Sequence, residues 1–101
     1  GWWECDLSDN SLTWTVGVYE IFGLAQGAVV TRDEAVRLYC EESRAAMERL
    51  RSYSIANRTG FVLDAQIKPA NGEPLRWMRL IGAPVYEGDR PARLHGLKLR
   101  L

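Results

Sequence analysis

The sequence predicts an α+β fold in which one five-stranded antiparallel sheet carries helices over one face. Three observations predict it. A chain of 101 residues builds one small domain around one core. Its apolar residues recur with period two near both ends and with helical spacing in between. Turn chemistry at Ser8-Asp9-Asn10, Asn71-Gly72 and Glu87-Gly88-Asp89 separates the period-two segments. Two hairpin strands, a helical crossing and a three-strand meander close into one such sheet.

Taken in order, residues 2–7 place Trp3, Cys5 and Leu7 on one side and Trp2, Glu4 and Asp6 on the other, a strand. Residues 11–15 return as a second strand with Leu12 and Trp14. Val18, Tyr19, Ile21 and Phe22 then fit a short helix over 17–24, ended by Gly23. Thr31 and Glu34 form a capping box: the threonine hydroxyl accepts from the amide three residues on, and the glutamate reaches back to the Thr31 amide. That helix runs to about Tyr39 with Ala35, Leu38 and Tyr39 inward. Ser43 predicts the N-cap of a second, longer helix to about Ala56, with Met47, Leu50 and Ser54 inward. Arg44, Glu48 and Arg51 fall on its outer face as modest surface pairs. After Gly60, Phe61, Leu63, Ala65 and Ile67 alternate with polar neighbours, and Asn71-Gly72 predicts a hairpin turn. Leu75 to Tyr86 makes the next strand. Arg93 to Leu101 makes the last, with Leu97, Leu99 and Leu101 on one side.

Composition narrows the function classes. Hydrophobic residues at 47% and charged residues at 26% exclude a disordered tail, a collagen-like repeat and a coiled-coil rod. No apolar run approaches the roughly 20 residues that span a bilayer, so no membrane contact is expected. Thirteen basic against thirteen acidic residues remove the electrostatic argument for nucleic-acid binding. The balance conceals polarity: residues 1–42 hold eight acids and two bases, residues 76–101 two acids and six bases. Cys5 and Cys40, without a CxxC pair or a histidine cluster, predict no metal site and either buried free thiols, the commoner state, or one disulfide between them. The setting expected is the cytoplasm. Gly1 opens directly on a strand pattern with no signal-peptide features, which reads as a fragment of a longer multidomain signalling protein. Asn57-Arg58-Thr59 matches a glycosylation sequon that carries no weight without a secretory signal.

Several motifs resemble one family in order and spacing. Gly1-Trp2-Trp3-Glu4-Cys5-Asp6-Leu7 is similar to the opening strand of the bacterial subgroup of PAS (Per-Arnt-Sim) sensory domains that end in a PAC segment. Leu12-Thr13-Trp14 and Tyr19-Glu20-Ile21-Phe22-Gly23-Leu24 resemble its second strand and first helix, and Glu42-Ser43-Arg44 the start of its long helix. Asn71-Gly72-Glu73-Pro74-Leu75-Arg76-Trp77 matches its turn-and-strand signature, and Gly96 stands where its last strand carries glycine. The resemblance covers essentially the whole chain. It departs at Tyr39-Cys40, where relatives more often carry proline, and at Arg100-Leu101, where many carry Asp-Ile-Thr.

The resemblance implies a sensory or regulatory module, not itself an enzyme, joined covalently to an output domain such as a histidine kinase or a diguanylate cyclase or phosphodiesterase. It also implies a small-ligand pocket between sheet and helices, for which the candidate lining is Trp3, Tyr19, Phe22, Met47, Leu50, Leu63, Met78 and Leu80. No cofactor is expected. The flavin-binding branch carries Asn-Cys-Arg at the start of a helix, whereas Cys40 here is followed by Glu41-Glu42-Ser43; haem relatives use a helical histidine, whereas His95 lies in the last strand. One histidine and two distant cysteines make no converging catalytic set, and Cys40 with His95 lacks an orienting third group. The alternative is a ligand-free docking or homodimerisation module using Trp2, Leu75, Trp77 and Ile81, which strand parity sends to the outer sheet face.

Overall fold

The computed structural model describes residues 1–101. In chain order it has β1 (Trp2–Asp6), β2 (Leu12–Trp14), α1 (Val16–Phe22), α2 (Arg32–Arg37), α3 (Glu41–Asn57), β3 (Phe61–Ile67), β4 (Arg76–Glu87) and β5 (Arg90–Arg100). The strands form one antiparallel sheet in the order β2-β1-β5-β4-β3, so the first hairpin docks on the last strand. Every strand expected from the sequence is present.

Strand alternation sets the two faces. Trp3, Cys5, Trp14, Phe61, Ala65, Ile67, Met78, Leu80 and Leu94 point inward and join Val18, Ile21, Phe22, Ala35, Tyr39 and Met47 from the helical segment in one core cluster. On β5 the inner positions are Ala92, Leu94, Gly96 and Lys98, while Leu97 and Leu99 face outward. A lysine therefore occupies a core position. On the outer face, register places Trp2 beside Leu97, Leu97 beside Ile81 and Ile81 beside Val62, an apolar row across four strands. The Arg79–Asp64 and Arg93–Glu4 ion pairs lie on that face too, the latter joining the acidic and basic parts of the chain. The Arg79 guanidinium holds the Asp64 carboxyl below its ordinary value.

The helices differ from expectation in four places. The Thr31 hydroxyl does accept from the Glu34 amide, but the Glu34 carboxylate accepts from that same hydroxyl and not from the Thr31 amide. The long helix α3 starts at Glu41, with Cys40 in the N-cap position, because Ser43 is engaged elsewhere: its hydroxyl accepts from the Gln66 amide at 2.8 Å. Arg44 is not an outward side chain; it folds back to donate to the carbonyls of Val36 and Tyr39 and satisfies the C-terminal end of α2. Glu48 reaches across to Arg32 on α2, so the pairs expected along α3 do not form.

The Asn71-Gly72 turn is present, with Gly72 at φ 84°, but it belongs to an eight-residue connection, residues 68–75, and not to a tight hairpin. The chain is drawn aside by backbone bonds from Lys68 to the Leu38 carbonyl and from Ala70 to the Phe22 carbonyl. Arg76 closes the arrangement. Its guanidinium, buried at 8% exposure, donates to the Glu20 and Ile21 carbonyls at the end of α1 and pairs with Glu73, whose carboxyl it holds below the ordinary value.

Gly82 and Gly96 face each other across β4 and β5. A methyl group on Gly82 would lie 2.7 Å from the Phe61 ring, and one on Gly96 would lie 1.9 Å from the Ile81 carbonyl oxygen. The backbone cannot yield there without breaking the central ladder. Gly96→Ala should therefore destabilise the domain by at least about 1–3 kcal/mol, the range for overpacking. Urea denaturation checks this; a variant as stable as the parent would contradict the close approach.

Candidate functional site

Between the inner sheet face and α2 and α3 lies a small cavity of about 50 Å³. Trp3 and Cys5 from β1, Leu12 from β2, Phe61 from β3, Leu80 from β4, and Leu94 and Lys98 from β5 line its sheet side; Arg32, Ala35, Val36, Tyr39, Met47 and Arg51 line its helix side. The walls are apolar except for three cations. Arg32 is paired with Glu48, and Arg51 makes one long hydrogen bond of 3.4 Å to the Asn10 side-chain oxygen.

Lys98 is the unusual member. It is 7% exposed, and its Nζ lies 4.8 Å from the Phe22 ring centre, 5.2 Å from Trp3, 5.5 Å from Trp14 and 5.9 Å from Tyr39. Strand register holds its backbone, whose amide and carbonyl both bond to Gly1, and the side chain borders both this cavity and an open groove with Gly1, Glu20 and Arg76. No carboxylate lies within ion-pair distance of Nζ. Burial pushes its pKa down to about 7, and nearby Arg32 adds to the depression. Burial also pushes the Cys5 thiol and the Tyr39 phenol up, keeping both neutral.

Of the eight lining candidates, Trp3, Met47 and Leu80 border this cavity. Phe22 lies beneath Lys98, fully buried between Trp14 and Tyr39. Met78 is fully buried and does not border the cavity, because it is packed solid two residues before Leu80 on β4. Leu50 and Leu63 are half-buried against the core and also lie off the cavity wall. Tyr19 is turned away: its hydroxyl donates to the Ala28 carbonyl at 3.1 Å, and its ring borders an open groove with residues 27–33. The four outer-face candidates lie outward, with Trp2, Leu75 and Trp77 at least half exposed and Ile81 partly covered. Cys40 and His95 do not meet. Cys40 opens α3 beside β3, its amide bonded to the Gln66 carbonyl, while His95 lies on the outer face opposite Glu4 and Ala83. Both cysteines are free thiols, but only Cys5 is buried; Cys40, at the N-cap of α3, is half-buried, contrary to expectation. No cluster of histidine, cysteine and carboxylate side chains has the geometry to hold a metal, and no helix is long and apolar enough to cross a membrane.

Sequence reasoning missed Lys98, Arg32 and Arg51 as cavity residues. Parity carried the signal for Lys98, since it alternates with Leu97 and Leu99. Helical spacing carried a signal for Arg51 too, since it lies four residues after Met47 and three before Ser54 on the inward stripe of α3.

Neither a protein-family model nor a curated protein matches this sequence. Solved structures do. The N-terminal domain of a diguanylate cyclase with a PAS/PAC sensor from Marinobacter aquaeolei superposes with a TM-score of 0.84 at 12% identity, over 98% of this chain and 92% of that one. The chain has the PAS fold. A sensory box histidine kinase/response regulator from Burkholderia thailandensis matches with a TM-score of 0.83 at 16% identity, over 100% of this chain and 76% of that one. A light-oxygen-voltage domain described with a flavin analogue matches with a TM-score of 0.77 at 16% identity, over 99% and 76%. The chain spans 29% of an RNA-binding light-oxygen-voltage receptor.

The PAS fold by itself therefore does not decide against flavin, and that question rests on this chain's own residues. Its cavity of about 50 Å³ is well below the roughly 300–1,000 Å³ of typical small-molecule sites, and the Cys40 thiol is not in its wall.

Lys98 has a measurable cost in this PAS fold. With a native pKa near 7 and an ordinary value of 10.5, the unfolded chain binds a proton that the native chain has released anywhere between those values. Stability thus rises with pH through that window, and the penalty is complete below it. Lys98→Met, similar in volume, should stabilise the domain by more than about 1 kcal/mol near pH 6. The difference should shrink steadily toward pH 10. Urea denaturation at several pH values checks it; a gain that does not vary with pH would place the Lys98 charge in water.

Proposed function

We propose that this chain is the sensory module of a bacterial signal-transduction protein, holding a small molecule between the sheet and α2 and α3 and relaying its presence to a covalently linked output domain. The observation that supports this most is the cavity with Lys98 in its wall, because a buried amine without an acceptor is costly unless the site binds something. The likeness to sensory domains of a histidine kinase and a diguanylate cyclase supports an output of that kind. The module is not itself catalytic, works in the cytoplasm, and contacts neither nucleic acid nor membrane, in keeping with a net charge of zero.

Native mass spectrometry of freshly purified protein tests the reading. A small mass is expected on the folded domain when it is sprayed from cell extract concentrated to millimolar metabolites, lost on denaturation, in a sample without a flavin or Soret band. Protein that takes up no small molecule under those conditions would contradict the sensor reading. A visible chromophore would contradict the absence of a cofactor.

A second reading concerns the outer sheet face. Trp2 and Trp77 are 60% and 50% exposed; Trp2, Leu97, Ile81 and Val62 make one apolar row, and Trp77, with Leu75 just before β4, lies beyond the Arg79–Asp64 ion pair that crosses the same face. We infer that two copies pair through it as a homodimer. Sedimentation at about 50 µM should show a dimer, and Trp77→Glu should give a folded monomer, since a buried carboxylate costs several kcal/mol. A monomeric parent, or a dimeric Trp77→Glu variant, would rule this face out.

A further inference from the structure

We propose that the cavity binds a short-chain organic monocarboxylate, its carboxylate accepting hydrogen bonds from Lys98 Nζ beside Arg51 and its alkyl end lying against Ala35, Met47 and Leu80. This rests on the sensor reading above and names the ligand class for that site.

Charge and hydrogen bonding decide the class. Three cations reach the cavity wall and no carboxylate does. Glu48 neutralises Arg32 from outside, which leaves Lys98 and Arg51 without an ionic partner. The aromatic rings around Lys98 attract a cation, but at 4.8–5.9 Å they accept none of its three N–H groups. A second donor lies near Lys98 behind the cavity wall, the Trp14 indole N–H, which is buried without an acceptor. The inner face is thus rich in donors and poor in acceptors, the reverse of what an amine, a cation or a metal ion would need. A carboxylate supplies two acceptor oxygens and one negative charge, and charge-assisted bonds of this kind are the strong ones.

Size decides the length. A cavity of about 50 Å³ holds the equivalent of roughly four waters, which suits two to four carbons and rejects a fatty acid. With so few atoms the affinity limit is modest, and a dissociation constant of about 0.01–10 mM is expected.

The groups facing Lys98 are Cys5 from β1, Tyr39 ahead of α3, Arg32 from α2 and Arg51 from α3, with Glu48 behind Arg32; on the α1 side are Phe22 and Glu20, with the Gly1 amine, Arg76 and Arg100 around the same groove. Cys5 and Tyr39 are held neutral by burial, so Lys98 is the group whose charge changes near neutrality. Binding should weaken as pH rises from 6 to 9.

The experiment is a saturation-transfer NMR titration of the domain with acetate, propionate, butyrate and hexanoate, against propionamide and propanol, at constant ionic strength in a chloride-poor buffer. Saturable binding of the two- to four-carbon acids is expected, at least tenfold weaker for hexanoate, the amide and the alcohol. Lys98→Met should lose at least tenfold in affinity while melting cooperatively. Should that variant fail to fold, the parent still decides: titration of Lys98 Nζ by NMR should shift to higher pH when a bound carboxylate is present. An unmoved titration at saturation, or acids that bind no better than propionamide and propanol, would overturn the carboxylate assignment. In the latter case the neutral compounds' own binding would leave the sensor reading standing. Absence of binding by every compound would overturn this proposal alone if native mass spectrometry still finds a retained molecule, and both readings if it finds none.

Discussion

The central constraint is the close approach of β4 and β5 at Gly82 and Gly96. Neither position has room for a methyl group, because the Ile81 carbonyl occupies one site and the Phe61 ring the other. The absence of side chains there lets the Trp3 ring lie over the middle of the sheet, where its indole N–H donates to the Ile81 carbonyl at 3.2 Å. With Trp3 fixed, β1 is held against β5, and the next inner position along β5 is Lys98. The Trp3 ring beside the lysine and the sheet-side wall that Trp3 and Phe61 form therefore depend on two glycines in register.

That arrangement accepts a cost. The rest of the core is closely filled: Val18, Phe22, Ala65, Ile67 and Met78 have no exposed surface. A methionine or leucine at position 98 would complete it. A lysine there opposes the hydrophobic effect, which is the kind of local conflict that functional sites show when the remaining structure is internally consistent.

Most of the architecture was legible because it depends on local chemistry. Strand parity identified both faces, Gly23 marked the end of α1 through its left-handed conformation at φ 67°, and Thr31 marked the start of α2. The errors arose where a side chain was taken by a distant partner. Ser43 has the chemistry of an N-cap, but the Gln66 amide on β3 claims its hydroxyl. Arg44 and Glu48 follow the solvent-facing pattern of an isolated helix, and nothing within α3 indicates that α2 packs beside them. The Asn71-Gly72 pair has true turn chemistry, yet the loop around it is shaped by carbonyls at the ends of α1 and α2. The candidate site was legible only in its apolar half, because a charged residue in a strand is ordinarily assigned to water.

The way α2 is fastened has a mechanical meaning. At its C-terminal end the chain is stitched to the sheet: Tyr39 bridges Ile67, the Cys40 amide bonds to the Gln66 carbonyl, and the Lys68 amide bonds to the Leu38 carbonyl. At its N-terminal end the polar fastening is one ion pair between Arg32 and Glu48. A helix of six residues held this way is fastened by backbone along the strand edge and by one ion pair at the opposite corner. Because added salt loosens an ion pair far more than it loosens a backbone ladder, the N-terminal corner of α2 is the end whose hold depends on ionic strength.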